Sequence, residues 1–103
     1  MSGDEVERLK EVVANACGTT VERVNARTRL AAPALARQVA MYYVVKSGKT
    51  LEATGEIFNR HYTNVVYAKN KVADMRDVDP WVQGVMNEVE REMPQLVEEV
   101  ARG

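Results

Sequence analysis

One cysteine and one histidine are all that 103 residues contain of either type. Cys17 has no partner in the chain for a disulfide. It falls beside Gly18 on an apolar helical stripe, which predicts packing rather than reactivity. With His61 standing alone, no cluster has metal-ligand spacing, and zinc is not expected. No apolar run exceeds the seven residues from Val39 to Val45, whereas a helix crossing a bilayer takes about 20. The opening MSGDEVER is acidic and polar and lacks the apolar segment of a secretion signal, so a cytoplasmic protein is expected. Strand-like alternation, internal repeats, low-complexity segments and interdomain linkers are missing as well. What remains is an all-α chain read as one domain, 1–103, burying about two-thirds of its extended surface.

Chemistry is scarce too. Gly48-Lys49-Thr50 has the look of the end of a phosphate-binding loop, but that motif needs a glycine five positions earlier, after a strand. Tyr43 stands there, inside a helical pattern, so Gly48 reads as a helix stop and Thr50 as a cap. His61 lies in a turn between Arg60 and Tyr62, where a capping or DNA-facing group fits better than a general base. Glu88, Glu90, Glu92 and the pair Glu98-Glu99 are solvated helix faces rather than paired catalytic carboxylates. No enzyme, cofactor, metal or nucleotide is expected.

Charge is present but unevenly placed. The net value of −1 hides a basic middle between acidic ends. Residues 1–26 carry −2, residues 27–76 carry +6, and residues 77–103 carry −5. The nine basic residues of the middle are Arg27, Arg29, Arg37, Lys46, Lys49, Arg60, Lys69, Lys71 and Arg76. Such a distribution fits a DNA-binding face on a protein held off random polyanions by its acidic ends.

Helical spacing organises the rest. Asp4 is the expected cap of a first helix with Val6, Leu9, Val13, Ala16 and Cys17 inward, stopped by Gly18. Thr19 or Thr20 starts a short helix with Val21 and Val24 inward. Arg27-Thr28-Arg29 is a basic connector. Pro33 belongs in the first turn of a long helix, where its missing N–H costs nothing. Leu35, Val39, Tyr42, Tyr43 and the stem of Lys46 face inward there, and Ala36 and Ala40 permit close approach. Asp79-Pro80 opens a final helix over about 80–101. Its row Trp81, Val85, Val89, Met93 and Val97 is flanked by Leu96 and Val100 and broken or kinked at Pro94. That row is long for one small domain, so a homodimer through residues 94–101 is expected.

The informative stretch is Pro33–Met75: a long helix, a short helix LEATGEIF capped by Thr50, the turn Asn59-Arg60-His61, and a second short helix. This is a helix-turn-helix, over about 51–76, which offers a recognition helix to the DNA major groove. Val65, Ala68, Val72 and Met75 form the inward stripe of that last helix. Its leading end, His61, Tyr62, Thr63 and Asn64, stays free for a ligand. Arg37-Gln38, one turn into the long helix, offers donors to a phosphate or a groove edge. Arg27, Arg29, Lys46, Lys49, Arg60 and Lys71 are candidate phosphate anchors. The implied partner is double-stranded DNA.

The run RLAAPALARQVAMYYV, then TLEATGEIF, then Thr63-Asn64-Val65-Val66-Tyr67-Ala68 with Lys71-Val72, resembles the C-terminal DNA-binding domain of the bacterial replication initiator DnaA. The similarity extends over roughly residues 6–92, and Ala36 to Tyr42 is its specific part. The resemblance implies a helical domain related in architecture to the Trp repressor, binding boxes at replication origins, in a nucleoid-associated protein. It places Arg37 in the minor groove and His61 to Val65 at the start of the recognition helix. There the family has Asp-His-Thr-Thr-Val, and only Thr63 and Val65 agree. The turn is one residue shorter, and Thr54 replaces a buried branched aliphatic. Because the departures fall on the base-reading end, a target other than the standard box is expected. The initiator's ATPase and oligomerisation regions have no counterpart in these residues, so a nucleotide-driven filament is not expected of them. The competing reading is a protein-interaction module of the same fold that has lost DNA reading and antagonises an initiator.

Overall fold

The computed structural model describes residues 1–97, and all of their regular structure is helical. In chain order the helices are α1 (Gly3–Cys17), α2 (Val21–Asn25), α3 (Ala31–Lys46), α4 (Leu51–Ile57), α5 (Tyr62–Met75) and α6 (Pro80–Glu92). Helical backbone resumes at residues 94–97, up to the edge of the described residues. None of these helices is long and apolar enough to cross a membrane.

The cap of α1 is Ser2, not Asp4. Ser2 Oγ accepts from Glu5 N–H, and Glu5 Oε1 accepts from Ser2 N–H, closing a capping box. Ser-x-x-Glu satisfies two orphan donors at once, where Asp4 could satisfy one. Asp4 instead lies in the first turn, where its charge complements the helix dipole. Gly18 ends α1 with φ of 70°, a left-handed conformation that glycine enters without a Cβ penalty. Thr20 caps α2 and Thr50 caps α4, each through its side-chain oxygen. Pro33 sits in the first turn of α3, and Asp79 caps α6 ahead of Pro80.

Helix α3 is the axle, in contact with each of the five other helices. Leu35, Ala36, Val39, Ala40, Met41, Tyr42, Tyr43 and Val44 are all buried. A helix apolar on every side has to be central. Tyr43 is buried at the cost of its phenol, which donates to Glu90 Oε2 at 2.8 Å. Tyr42 takes a hydrogen bond from Arg76 at 3.2 Å. Burial and the nearby Glu90 carboxylate both hold the Tyr43 hydroxyl well above the usual phenol range. Burial likewise pushes the Cys17 thiol up to about 11, which keeps it protonated and unreactive at neutral pH.

The C-terminal element of about 80–101 is interrupted at Pro94, as expected, and departs from expectation in its inward phase. Helix α6 ends at Glu92, Met93 leaves helical backbone, and a new turn starts at Pro94. Trp81 is exposed rather than inward, and Val82 and Met86 join Val85 and Val89 in the core. The reason is geometric, since a row of every fourth residue drifts about 40° around a helix at each step. Met93 and Leu96 are buried, which leaves Trp81 and Val97 as the exposed members of the row. Residues 98–101 of the expected dimer segment lie outside the described residues.

Candidate nucleic-acid interface

The short helix α4 meets α5 through the turn 58–61. Asn59 has φ of 54°, and Arg60 N–H donates to Gly55 O at 2.8 Å. Gly55 is required here by the backbone that closes over it, the turn first and then the start of α5. A Cβ on it would lie 2.5 Å from Arg60 O and 3.4 Å from Tyr62 N. Thr54, in the place of a branched aliphatic, is fully buried without an unpaired hydroxyl, because Oγ1 donates to Thr50 O at 2.8 Å. A second brace comes from α1. Lys10 is buried, donates from Nζ to Ile57 O at 3.0 Å, and lies 5.1 Å from the Phe58 ring centroid. A cation at the C-terminus of α4 complements that helix's dipole.

Helix α5 then begins with an exposed polar turn. His61 is its N-cap, with Nδ1 accepting from Thr63 N–H at 3.3 Å and lying 3.0 Å from Thr63 Oγ1. An accepting Nδ1 places the proton of the neutral ring on Nε2, so the edge left for a ligand is a donor. The Tyr62 ring lies beside it at 4.6 Å between centroids. His61, Tyr62, Thr63 and Asn64 are all exposed, while Val65, Ala68 and Val72 are buried and Met75 is half-buried. The first turn of α5 holds no acidic residue, so nothing there opposes the positive end of the helix dipole.

Beside this turn three arginines from three elements come together. Arg37, on α3, donates from Nη1 to Val24 O at 3.0 Å and to Ala26 O at 3.4 Å. Arg60, in the turn, donates from Nη2 to the same Ala26 O at 2.6 Å. The carbonyls at the end of α2 therefore hold two guanidinium groups side by side. Burial and the nearby Arg60 lower the pKa of Arg37; burial and the nearby Arg27 lower that of Arg60. Mutual repulsion is being tolerated where a carboxylate would relieve it.

The ion pairs among the described residues all belong to Arg8, Lys10, Arg76 or Arg91. Among the described residues, every basic side chain from Arg27 to Lys71 is left without an acidic partner. Arg27 and Arg29 are exposed, and Lys71 is half-buried on α5. Lys46 and Lys49 are placed apart. Lys46, nine residues beyond Arg37, is on the opposite side of α3 at about 100° per residue, over the Tyr42 ring. Lys49 shares a hollow with Gly3, Val6, Glu7, Lys10 and Ile57 on the α1 side. Gln38 lines a hollow with Ala34, Lys71 and Trp81, in which Arg37 has no part.

The family described as the bacterial dnaA protein helix-turn-helix matches residues 6–72, more than half of the chain. This chain belongs to that family. The match takes in α1 through most of α5 and stops before α6. Membership brings DNA binding, rather than catalysis, as the activity of this dnaA-type domain, and double-stranded DNA as its partner class. Two residues of the domain were not singled out as candidates from its sequence. Lys10 fell within an acidic helix and gave no sign of burial. Tyr67 was legible, because it lies one turn beyond Thr63 and off the inward stripe; at 61% exposure it is among the most open large side chains.

Proposed function

We propose that this dnaA-type domain reads double-stranded DNA in a sequence-specific manner of the replication-initiator kind, in replication or transcription control. The observation that carries the reading is the cluster of Arg27, Arg37 and Arg60, without acidic partners among the described residues, beside an acid-free, exposed first turn of α5. Cations left without acidic partners suit a polyanion that supplies the missing charge. Arg37 enters the minor groove, and His61, Tyr62, Thr63 and Asn64 face the base edges of the major groove, with Gln38 close behind Arg37 in sequence. Arg27, Arg29, Arg60 and Lys71 anchor phosphates. Lys46 and Lys49 are the outermost anchors and contribute least. In the free protein the Arg37 guanidinium is tied to the end of α2, so insertion requires it to release Val24 O and Ala26 O.

Selection of bound sequences from a random duplex pool tests this. An enriched motif, different from the standard initiator box, is expected because the reading end departs from the family's. A helix-turn-helix that had kept its fold and lost DNA reading would enrich nothing. Two substitutions then divide anchoring from reading. Arg37→Ala should weaken binding to all duplexes and flatten the salt dependence by about one unit, without changing the preferred major-groove bases. Asn64→Ala should cost about 1–3 kcal/mol on the selected site, where its amide can pair with adenine N6 and N7, and little on random DNA. Uniform weakening by Asn64→Ala would mean that α5 touches only backbone.

We further propose that any homodimer through the C-terminal element uses Trp81 and Val97, since Met93 and Leu96 are buried. Sedimentation at high concentration should show self-association that Trp81→Ser abolishes. A monomer at every concentration would remove the dimer without touching the DNA reading.

A further inference from the structure

The outward face of α5 does not end at Asn64. Tyr67 is 61% exposed, and Lys71, one turn later, holds its Nζ 5.8 Å from the Tyr67 ring centroid. The buried stripe of α5 is Val65, Ala68 and Val72, so Tyr67 plays no part in the core. Tyr67, Asn70, Lys71, Asp74 and Met75 line a shallow hollow of about 350 Å³. Asp74, exposed at its far end, would repel a polyanion, so contact with DNA has to stop before it.

Depth and charge choose the ligand. Tyr67 lies about 6 Å behind Thr63 along the helix axis. A helix entering the groove by its leading end leaves the groove floor as it goes, so at that depth it meets the wall. The wall presents deoxyribose and phosphate. A phenol hydroxyl donates to a phosphate oxygen, its ring covers a sugar, and an adjacent ammonium neutralises the charge.

We propose that Tyr67 and Lys71 together hold one backbone phosphate at the wall of the groove that His61 to Asn64 read, and so set the angle at which α5 lies in it. The inference rests on the reading above, in which α5 enters the major groove. Tyr67 and Lys71 are positioning residues: they carry no base preference of their own.

The test uses the selected duplex with single neutral methylphosphonates placed along its backbone, bound by wild-type protein, Tyr67→Phe, Lys71→Ala and the double variant. Tyr67→Phe should weaken selected and random duplexes alike, by about fivefold, the effect of one lost hydrogen bond. It should leave the salt slope unchanged, whereas Lys71→Ala should flatten it by about one unit. One methylphosphonate should weaken the wild type and have no effect on the double variant. If that penalty persists undiminished in the double variant, or if Tyr67→Phe alters a base preference, the shared phosphate is wrong. Wild-type binding with a neutral Tyr67→Phe overturns this inference alone. A wild type that binds no duplex overturns the DNA reading with it. Circular dichroism of each variant controls for folding, which an exposed Tyr67 should not disturb.

Discussion

Raising monovalent salt from about 50 to about 200 mM should weaken DNA binding by about 250- to 1,000-fold, with log K falling against log salt at a slope of roughly −4 to −5. The slope follows from the number of cations that reach phosphates or enter a groove. Arg27, Arg29, Arg60 and Lys71 are unpaired with any carboxylate among the described residues, and Arg37 shares Ala26 O with Arg60. Each neutralised phosphate releases about 0.9 of a counterion, so these five cations give a slope of about −4.5, inside that range. The paired cations Arg8, Lys10, Arg76 and Arg91 are not counted, because DNA would have to displace their carboxylates first. Titrations at four salt concentrations measure the slope directly. A slope near zero, or protection from DNA-dependent labelling confined to residues 77–103, would remove the proposed interface. Reversing Arg60 to Glu should do more than remove one contact. It would put a carboxylate among Arg27 and Arg37, pair them internally, and flatten the slope by more than one unit.

Gly55→Ala and Gly84→Ala should move stability in opposite directions, although both glycines lie within helices. Alanine favours a helix over glycine by about 1 kcal/mol. At Gly84 that gain is uncontested, since nothing lies within 4 Å of an added Cβ, and stabilisation of about 0.5–1 kcal/mol is expected. At Gly55 the Cβ would be 2.5 Å from Arg60 O, and a backbone oxygen in a hydrogen-bonded turn cannot swing aside as a side chain can. Overpacking of this kind costs about 1–3 kcal/mol. It outweighs the propensity gain and leaves a net loss of about 1–2 kcal/mol. The functional effect should be larger than the loss of stability. Moving the 58–61 turn away from α4 displaces His61, the cap from which α5 starts, so Asn64 and Arg37 no longer address one duplex. Affinity at the selected site should fall by more than tenfold at temperatures where the variant is still fully folded. Denaturant unfolding and binding titrations on the two variants check this pair. If Gly55→Ala proves neutral in both, the turn is softer than its close contact implies.

Local chemistry along the chain was enough to establish the helical class, most of the boundaries and the helix-turn-helix. Thr20, Thr50, Asp79-Pro80 and Gly18 act within one turn of where they stand, and caps of this kind need no distant partner. The basic middle was equally open to inspection, because net charge by segment does not depend on folding. Three things required the tertiary structure. The inward phase of α6 was one: residues at every fourth position sweep steadily around a helix, so spacing admitted Trp81 until the core, by burying Val82 and Met86, put it outside. The membership of the interface was another. Arg37 and Arg60 are 23 positions apart and meet only because α2 ends between them with Ala26 O exposed to both, while Lys46 falls on the far side of the same helix as Arg37. The last was Lys10, whose burial depends on Ile57 O, 47 residues away, and on the Phe58 ring that follows it. Capping and charge are properties of neighbours in sequence, whereas burial and convergence belong to neighbours in space, and those exist only once α3 has gathered the other helices around it.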